Sequence, residues 1–600
     1  MDRLANLLPA INAILWHDVV LYILLGTGVL FTFWSGFSQY RALTHGVRVI
    51  RGRYDDPHDP GAINHFQALA TALSATVGLG NIGGVALAIA VGGPGAVFWM
   101  WMVGFFGMAL KSAEVTLSML YRNTDEPGNP HGGPMWVAKA GFARLGLPRL
   151  GSFVGGLFCV TLIISAITGG NMFQAWNVAE ITHTYFPTVP RFVVGVLLCL
   201  LVGTVVIGGI RRIGAVAGRL VPLMCALYLL AAAYVLVVHL GDVPAVLRSI
   251  VVAAFSPSEA TGAFLGGTAG YAFLWGMKRA LFSSEAGQGS APIAHCAART
   301  REPVREGVVA GLEPFIDTLV VCTLTTLVIL LSGAWNRGPE ATFPPGTELR
   351  FTAIPPASPA SPRSWQLETP PLPPKSAEAR RVANLASGPG WRANETLFLL
   401  VRADPNPNTD GNLHRVAGVV AGNADDGWTV RWTPLVASLA PEPVLNPDGS
   451  PHLGIYGDYV GAALTGHAFD RVLPGLGMWL VTLACWLFAY STIISWCYYG
   501  EQGVIYLAGP RAVLPYKVAY CAVIVVATLG FIRTDAQLDD WTALGTGVML
   551  FANIPILLLF GHHAMRAYRD YLRRLDRGEL SPPHPTPPPI EDVVEDRPTS

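Results

Sequence analysis

Charge is what this chain has least of. Only 13% of its 600 residues are Asp, Glu, Lys or Arg, about half the roughly 25% of an ordinary globular protein. The 40 basic residues are balanced by 40 acidic ones, and the pI is about 7.2. No basic field exists to hold nucleic acid, and that class of function is excluded. The eight cysteines (Cys159, Cys199, Cys225, Cys296, Cys322, Cys485, Cys497 and Cys521) lie in or beside apolar segments without a CxxC pair. They imply neither a disulfide framework nor a zinc site. HExxH, GxSxG and Walker loops are missing too, which weighs against a membrane enzyme or an ATP-driven pump and implies no cofactor.

What the chain has is apolar residue, 52% of the total, with a mean hydropathy of +0.43. A helix needs about 20 such residues to cross the hydrocarbon layer. Eleven stretches qualify or nearly so, at 17–38, 66–91, 96–120, 152–178, 191–210, 217–240, 261–296, 305–333, 473–500, 513–532 and 542–561. The first follows Arg3 without a cleavable signal pattern and reads as a retained helix. Arginine and lysine crowd the odd-numbered connections, with Arg41, Arg48, Arg51 and Arg53 in the first and Arg299, Arg301 and Arg305 in the seventh. The short even-numbered connections carry little beyond Arg191, Arg248 and Arg533. By the positive-inside rule the N-terminus is extracytoplasmic and the C-terminus cytoplasmic.

The division expected is a membrane domain made of residues 1–334 and 459–577, an insert at 335–458 between them, and a tail at 578–600. The insert faces outside. Its Pro-rich run (Pro355, Pro356, Pro359, Pro362) precedes alternating segments at Glu395–Val401, Val416–Val420 and Trp428–Trp432, which read as a small β-rich domain or, alternatively, a solvated loop. The tail is Pro-rich, then acidic, and reads as disordered.

Two spans are unusual. The second carries Gly78, Gly80, Gly83 and Gly84 with Asn81 near its middle, and the seventh carries Gly266, Gly267, Gly270, Gly276, Gly287 and Gly289. Glycines there either let helices pack closely or break the helix, exposing amides to a carboxylate and carbonyls to a cation. Corresponding interruptions five helices apart favour the second alternative and a transporter of five plus five helices with one in front. Lys111 and Glu114, three apart on one helix face, are expected to pair. Asp317, mid-helix, is neutral, paired to Lys278 or Arg279, or part of an ion path.

The runs Thr76-Val-Gly-Leu-Gly-Asn-Ile-Gly-Gly-Val-Ala, Gly92-Gly-Pro-Gly-Ala-Val-Phe-Trp-Met-Trp, Gly132-Gly-Pro-Met, Lys278-Arg-Ala-Leu-Phe-Ser-Ser-Glu-Ala-Gly-Gln-Gly-Ser-Ala-Pro, Phe315-Ile-Asp-Thr and Phe488-Ala-Tyr-Ser-Thr-Ile-Ile-Ser-Trp closely resemble the alanine or glycine:cation symporter family. The resemblance covers residues 10–333 and about 460–570, not the insert or the tail. It implies an all-α polytopic fold with the leucine-transporter-like inverted repeat, a small neutral amino acid as substrate, and Na⁺ as the usual coupling ion, with H⁺ the other choice. Carried over by residue, it implies a substrate site at Val77, Gly78, Leu79, Gly80, Asn81, Gln174, Gly270, Phe273 and Trp496. A pocket closed by Phe273, Trp275 or Trp496 would suit a one-carbon side chain. The cation would sit among Val77, Gly80, Asn81, Ser491 and Thr492, and Glu285 and Asp317 are candidates for gating or coupling. No metal beyond the transported cation and no obligate protein partner is implied. The chain departs from the family pattern at Leu79, Ala280, Ser284 and Ser495. Leu79 is the one hint of an uncoupled uniporter or exchanger, and the insert leaves room for a membrane amino-acid sensor. The symporter reading predicts that Asn81→Ala and Thr492→Ala each weaken ion-dependent uptake, Asn81→Ala the more. Wild-type rates in both purified variants would remove the assigned ion site.

Overall fold

The computed structural model describes residues 2–186, 188–355, 363–385, 390–406, 409–423, 427–531 and 535–580. Pro356, Pro359, Pro362, Arg533 and the tail beyond residue 580 lie outside the described residues.

The chain is mostly helical. Among the described residues, eight helices are long and apolar enough to cross a membrane: Leu8–Trp34, Gly95–Leu120, Pro148–Tyr185, Gly209–Val238, Pro303–Leu331, Leu476–Ala508, Pro510–Ala527 and Asp540–Asp576. A ninth candidate is the pair His65–Thr76 and Gly80–Gly92, bent by 51° at its break. Helices occupy all eleven apolar stretches, but Arg191–Val206 and Ala269–Ser284 are only 16 residues each. Large apolar side chains stand bare on the outer faces, Leu230 and Val237 at 72% exposure each. Lipid tolerates such a surface and water does not.

The elements around the centre are α1 (Asp18–Trp34), α2 (His65–Thr76), α3 (Val85–Gly92), α4 (Gly95–Leu120), α5 (Pro148–Ile167), α6 (Phe173–Tyr185), α7 (Ala269–Ser284), α8 (Ala291–His295), α9 (Pro303–Ala310), α10 (Thr323–Leu331), α11 (Ala462–Val472), α12 (Leu476–Ala508) and α13 (Asp535–Asp576). Among the described residues, wide turns of i→i+5 type occur at Ala42–Gly46, Gly80–Gly84, Thr168–Met172 and Phe315–Cys322. Such turns free backbone groups and recur at functional sites. The 33-residue α12 runs unbroken past the one at Thr168–Met172.

The seventh stretch does not break where its first glycines suggested. α7 is continuous through Gly270 and Gly276, and the chain unwinds between Glu285 and Ser290 before α8. Gly276 serves close packing, because a side chain there would run into Ala96 O and Trp99 Cβ of α4. The break itself is held by left-handed backbone at Glu285, Gly287 and Gly289, φ 52°, 84° and 84°. Glycine adopts this conformation freely and glutamate at some cost.

Among the described residues between Ala341 and Gly457 lie nine strands: β1 (Ala341–Thr342), β2 (Arg350–Ile354), β3 (Ser364–Glu368), β4 (Thr396–Asn406), β5 (Gly411–Asn423), β6 (Gly427–Trp432), β7 (Leu435–Val436), β8 (Glu442–Pro443) and β9 (Gly454–Gly457). One sheet runs β1-β9-β4-β5-β6 with β8 on β4; the other is β2-β3-β7. β4 alternates as a buried strand does. Leu397, Leu399 and Val401 enter a core with Val416, Val420, Trp432 and Ile455. Phe398 and Leu400 face the other way, against Ala263, Leu265 and Tyr456. Arg415 stacks over Phe398 at 4.5 Å and donates to Ala263 O at 2.7 Å. The sheet is thus docked on the segment that leads into α7. Beyond β9 the chain enters α11, where Thr465 Oγ1 donates to Ile82 O at 3.1 Å. α11 therefore lies on the wide turn Gly80–Gly84.

The packing at α7 predicts that Gly276→Val destabilises the purified protein by about 1 to 3 kcal/mol through overpacking. Gly270→Ala, with nothing within 4 Å of the new methyl, should be neutral or slightly stabilising. Thermal melting in detergent would read both, and equal losses would contradict the packing.

Candidate functional site

α2 starts with a capping box, Asn64 Oδ1 accepting from Gln67 N while Gln67 Oε1 accepts from Asn64 N. It ends at Thr76, where Val77 leaves helical geometry (φ −79°, ψ 86°). The break frees backbone groups deep in protein, where an unsatisfied one costs about 1 to 3 kcal/mol. Asn81 provides the repair. Its Oδ1 accepts from Gly78 N at 2.9 Å, and its Nδ2 donates to Ser283 Oγ at 2.9 Å and Asp317 O at 3.2 Å. Its carbonyl accepts from Thr325 Oγ1 at 2.9 Å. One side chain thereby ties the first break to α7 and to the wide turn before α10.

α12 approaches the same break from the opposite side. Thr492 Oγ1 donates to Ser74 O at 3.1 Å, and Ser74 Oγ returns a bond of 2.6 Å to Ser491 O; Ser491 Oγ donates back along α12 to Phe488 O at 2.8 Å and lies 3.4 Å from Ser74 O. A methyl on Gly78 would stand 2.7 Å from Thr492 Oγ1, so only glycine admits the hydroxyl this close. Two hydroxyls and a carbonyl make a compact set of hard oxygens, the kind of donor that suits a hard cation.

Beside this cluster is a small, partly open cavity of about 30 Å³ lined by Gly78, Gly80, Gln174, Glu285, Thr492 and Trp496 together with Ala75, Thr76, Ser165, Gly169, Phe282, Gln288, Thr542 and Thr546. Three buried polar atoms on its wall have no hydrogen-bond partner among the described residues: Gln174 Oε1, Gln288 Oε1 and Ser165 Oγ. The amide nitrogens are occupied, Gln174 Nε2 by Gly169 O at 3.1 Å and Gln288 Nε2 by Leu281 O at 2.8 Å. Two acceptors and a hydroxyl are therefore held ready for a small polar guest. Glu285 adds a carboxylate whose Oε2 accepts from Ser290 Oγ at 2.5 Å. Trp496 presses on Gly170, and Phe282 covers Gly80.

The sequence-assigned residues divide accordingly. Gly78, Gly80, Gln174, Glu285, Thr492 and Trp496 meet at the cavity. Val77, Asn81 and Ser491 stand directly behind it, Asn81 with its oxygen already bonded. Leu79 is buried in the apolar core at 3% exposure and does not line the cavity. Gly270 stands near the start of α7, and Phe273 packs between Tyr22 and Trp99, ring centroids 4.9 Å from each. Trp275 lies under Arg279. Asp317 accepts from Thr318 Oγ1, and its Oδ2 has no partner.

The expected Lys111–Glu114 pair does not form. Lys111 Nζ lies 2.5 Å from Glu313 Oε2, while Glu114 accepts from Asn553 Nδ2 at 2.6 Å and Gly287 N at 3.4 Å. The unwound segment after α7 needs an acceptor for its amides, and Glu114 supplies it. Ser74, Ser165, Phe282, Gln288, Thr542 and Thr546 went unassigned in the sequence. Hydroxyls in apolar helices usually bond back along the helix, as Thr546 does to Thr542 O, and nothing in spacing separates Ser165 from them. Gln288, placed between Gly287 and Gly289, carried the one usable signal.

A family model described as the sodium:alanine symporter family matches residues 1–354 and 452–584; the stretch it omits is most of the strand-bearing insert. The sodium/alanine symporter AgcS of Methanococcus maripaludis is 32% identical, covering 93% of this chain and 95% of that protein. The putative sodium/proton-dependent alanine carrier protein YrbD of Bacillus subtilis is 29% identical over 96% and 94%. The probable sodium/glutamine symporter GlnT of Bacillus subtilis is 36% identical over 56% and 67%.

Proposed function

The chain belongs to the sodium:alanine symporter family, and from that premise we propose that it imports alanine or glycine together with a cation, Na⁺ first, by alternating access. Cation-coupled amino-acid symport by a multi-pass membrane protein is what its family and relatives have in common. The observation that carries the finer reading is the cavity at the first break, with unpartnered oxygens at Gln174 and Gln288 and a hydroxyl at Ser165, next to the Ser74, Ser491 and Thr492 oxygens. The acceptors and Glu285 suit an ammonium, Ser165 a carboxylate, and the hard oxygens a small cation. The bulky Phe282 and Trp496 on the cavity wall support a small side chain in the substrate.

The proposal includes eleven spans, five plus five after a leading helix, with the sides assigned by arginine. The membrane domain, residues 1–334 and 459–577, flanks the extracytoplasmic insert 335–458, and the C-terminus is cytoplasmic in a bacterial inner membrane. No cofactor and no obligate protein partner are invoked, and the family's chemistry is transport rather than catalysis. The energetics are adequate. One positive charge moving inward is worth about 2.3 kcal/mol per 100 mV, and a tenfold ion gradient adds about 1.4 kcal/mol. Together they sustain accumulation of a zwitterion by about 500-fold.

The test is uptake of radiolabelled alanine, glycine and glutamine into proteoliposomes of the purified protein under a Na⁺ gradient, a pH gradient, or neither. Concentrative uptake of alanine or glycine under an ion gradient is the expected result. Equal uptake with and without gradients would indicate a uniporter, and uptake of none of the three would end this substrate assignment.

A further inference from the structure

Five ionisable side chains outside the cavity form one unbroken buried chain. His65 Nδ1, at the first residue of α2, is hydrogen-bonded to Glu306 Oε1 of α9. Glu306 Oε2 lies 2.5 Å from His295 Nδ1 of α8. His295 Nε2 lies 2.7 Å from Glu313 Oε1, and Glu313 Oε2 lies 2.5 Å from Lys111 Nζ of α4. None of the five side chains is more than 2% exposed. At one end His65 Nε2 is 3.6 Å from Asp55 Oδ1, whose side chain is 43% exposed. At the other, the next acidic groups around Lys111 are Glu285, which lines the cavity, and Asp317. The remaining ionisable groups about the chain are Glu114 on α4, Cys296 beside His295, and Tyr498 and Tyr499 on α12.

The hydrogen bonds determine a proton count. A carboxylate only accepts, so an imidazole bonded at both nitrogens to carboxylates must donate from both. Either His295 is an imidazolium, or it is neutral and Glu306 or Glu313 carries the proton. In each form Glu306, His295 and Glu313 together hold one proton more than their fully deprotonated set. The forms differ only by a shift of that proton along one short hydrogen bond. A purely structural tie has no need of this arrangement, since apolar residues of equal volume hold helices together as well or better. Buried ionisable groups at membrane depth mark ion and proton paths by default.

We propose that Glu306, His295 and Glu313 form the binding site of a transported proton, with Lys111 addressing the Glu285 side of the cavity and His65 addressing Asp55 on the side assigned to the cytoplasm. This rests on the symport reading and adds H⁺ to its coupling ions. Inward movement of one proton starts from the form with the extra proton on Glu313 Oε1: Glu313 gives it to His295 Nε2, His295 gives its Nδ1 proton to Glu306 Oε2, and Lys111 refills Glu313 at Oε2. The Glu306 hydroxyl then turns to Oε1 and passes its proton to His65 Nδ1, with His65 in the tautomer protonated at Nε2, and His65 closes the 3.6 Å to Asp55 to release that Nε2 proton. A proton from the Glu285 side restores Lys111, the Glu313 hydroxyl turns back to Oε1, and each imidazole returns its N–H to the other nitrogen by ring rotation or exchange, which restores the charge and the bonds of the starting state.

The experiment uses proteoliposomes of the full chain loaded with a pH-sensitive dye, voltage-clamped with K⁺ and valinomycin, and given alanine under an inward Na⁺ gradient. Wild type should acidify the lumen as alanine enters. His295→Gln and Glu313→Gln should lower that acidification about tenfold or more, while equilibrium alanine binding in detergent stays within about threefold. Should His295→Gln fail to fold, Glu313→Gln carries the comparison. Alanine uptake by wild type without acidification, or unchanged acidification in Glu313→Gln, would overturn the proton site. If wild type takes up no amino acid, the symport reading is what fails. The proton site is then judged by infrared difference spectra of the purified protein between about pH 6 and about pH 9. A protonated-carboxyl or imidazolium band that titrates in wild type and is missing from Glu313→Gln supports it, and identical spectra overturn it.

Discussion

A backbone that leaves the helix inside a bilayer has no water to bond, so its amides and carbonyls must be met by protein or by a guest. The centre of this molecule is organised around two such departures, Val77–Leu79 and Glu285–Ser290. Each is bolted from one direction by polar side chains. Asn81 takes Gly78 N and reaches Ser283 and Asp317 O. Glu114 and Asn553 take Gly287 N and O. From the other direction both breaks face the cavity, where the oxygens of Gln174 and Gln288 are left open. The contrast between bolted and open sides turns two helix defects into a site.

Small residues set the spacing that makes this possible. Gly78 admits Thr492 Oγ1, Gly170 admits the Trp496 ring, and Gly83 admits the backbone of α11 at Ala462. The last contact links the site to the strand-bearing insert, whose final strand β9 leads into α11. At the base of the insert Lys375 is paired with Glu340 and Glu395, and Tyr459 OH donates to Glu340. Burial and the neighbouring carboxylates push the Tyr459 hydroxyl well above its usual range, so this joint stays fully bonded across physiological pH. The first break and the sheet are thereby joined through α11.

The first break was legible because four glycines and an asparagine in seven residues have few other uses at membrane depth. The second was legible in kind but misplaced. Gly270 and Gly276 look the same in sequence as Gly287 and Gly289, yet Gly276 is glycine because α4 lies against it, whereas Gly287 and Gly289 have left-handed backbone. Composition does not distinguish a missing side chain from an unusual φ. The partner of Lys111 was lost for a related reason. Spacing puts Glu114 on its face, but Glu313 reaches Lys111 from a turn 202 residues away, and only the fold brings α4, α8 and α9 together. Ser74 and Ser165 were hidden among hydroxyls that ordinarily bond their own helices.

The central claim is that a cation and an amino acid occupy adjoining regions of one site, and linkage then requires each to strengthen the other's binding by the same factor. Equilibrium binding of labelled alanine to the purified protein, titrated in Na⁺ and in an equal concentration of K⁺, measures this directly. The account predicts that Na⁺ lowers the alanine Kd by about tenfold or more and that Thr492→Val removes most of the gain. An alanine Kd that is the same in Na⁺ and K⁺ would contradict a shared site at Ser74, Gly78 and Thr492.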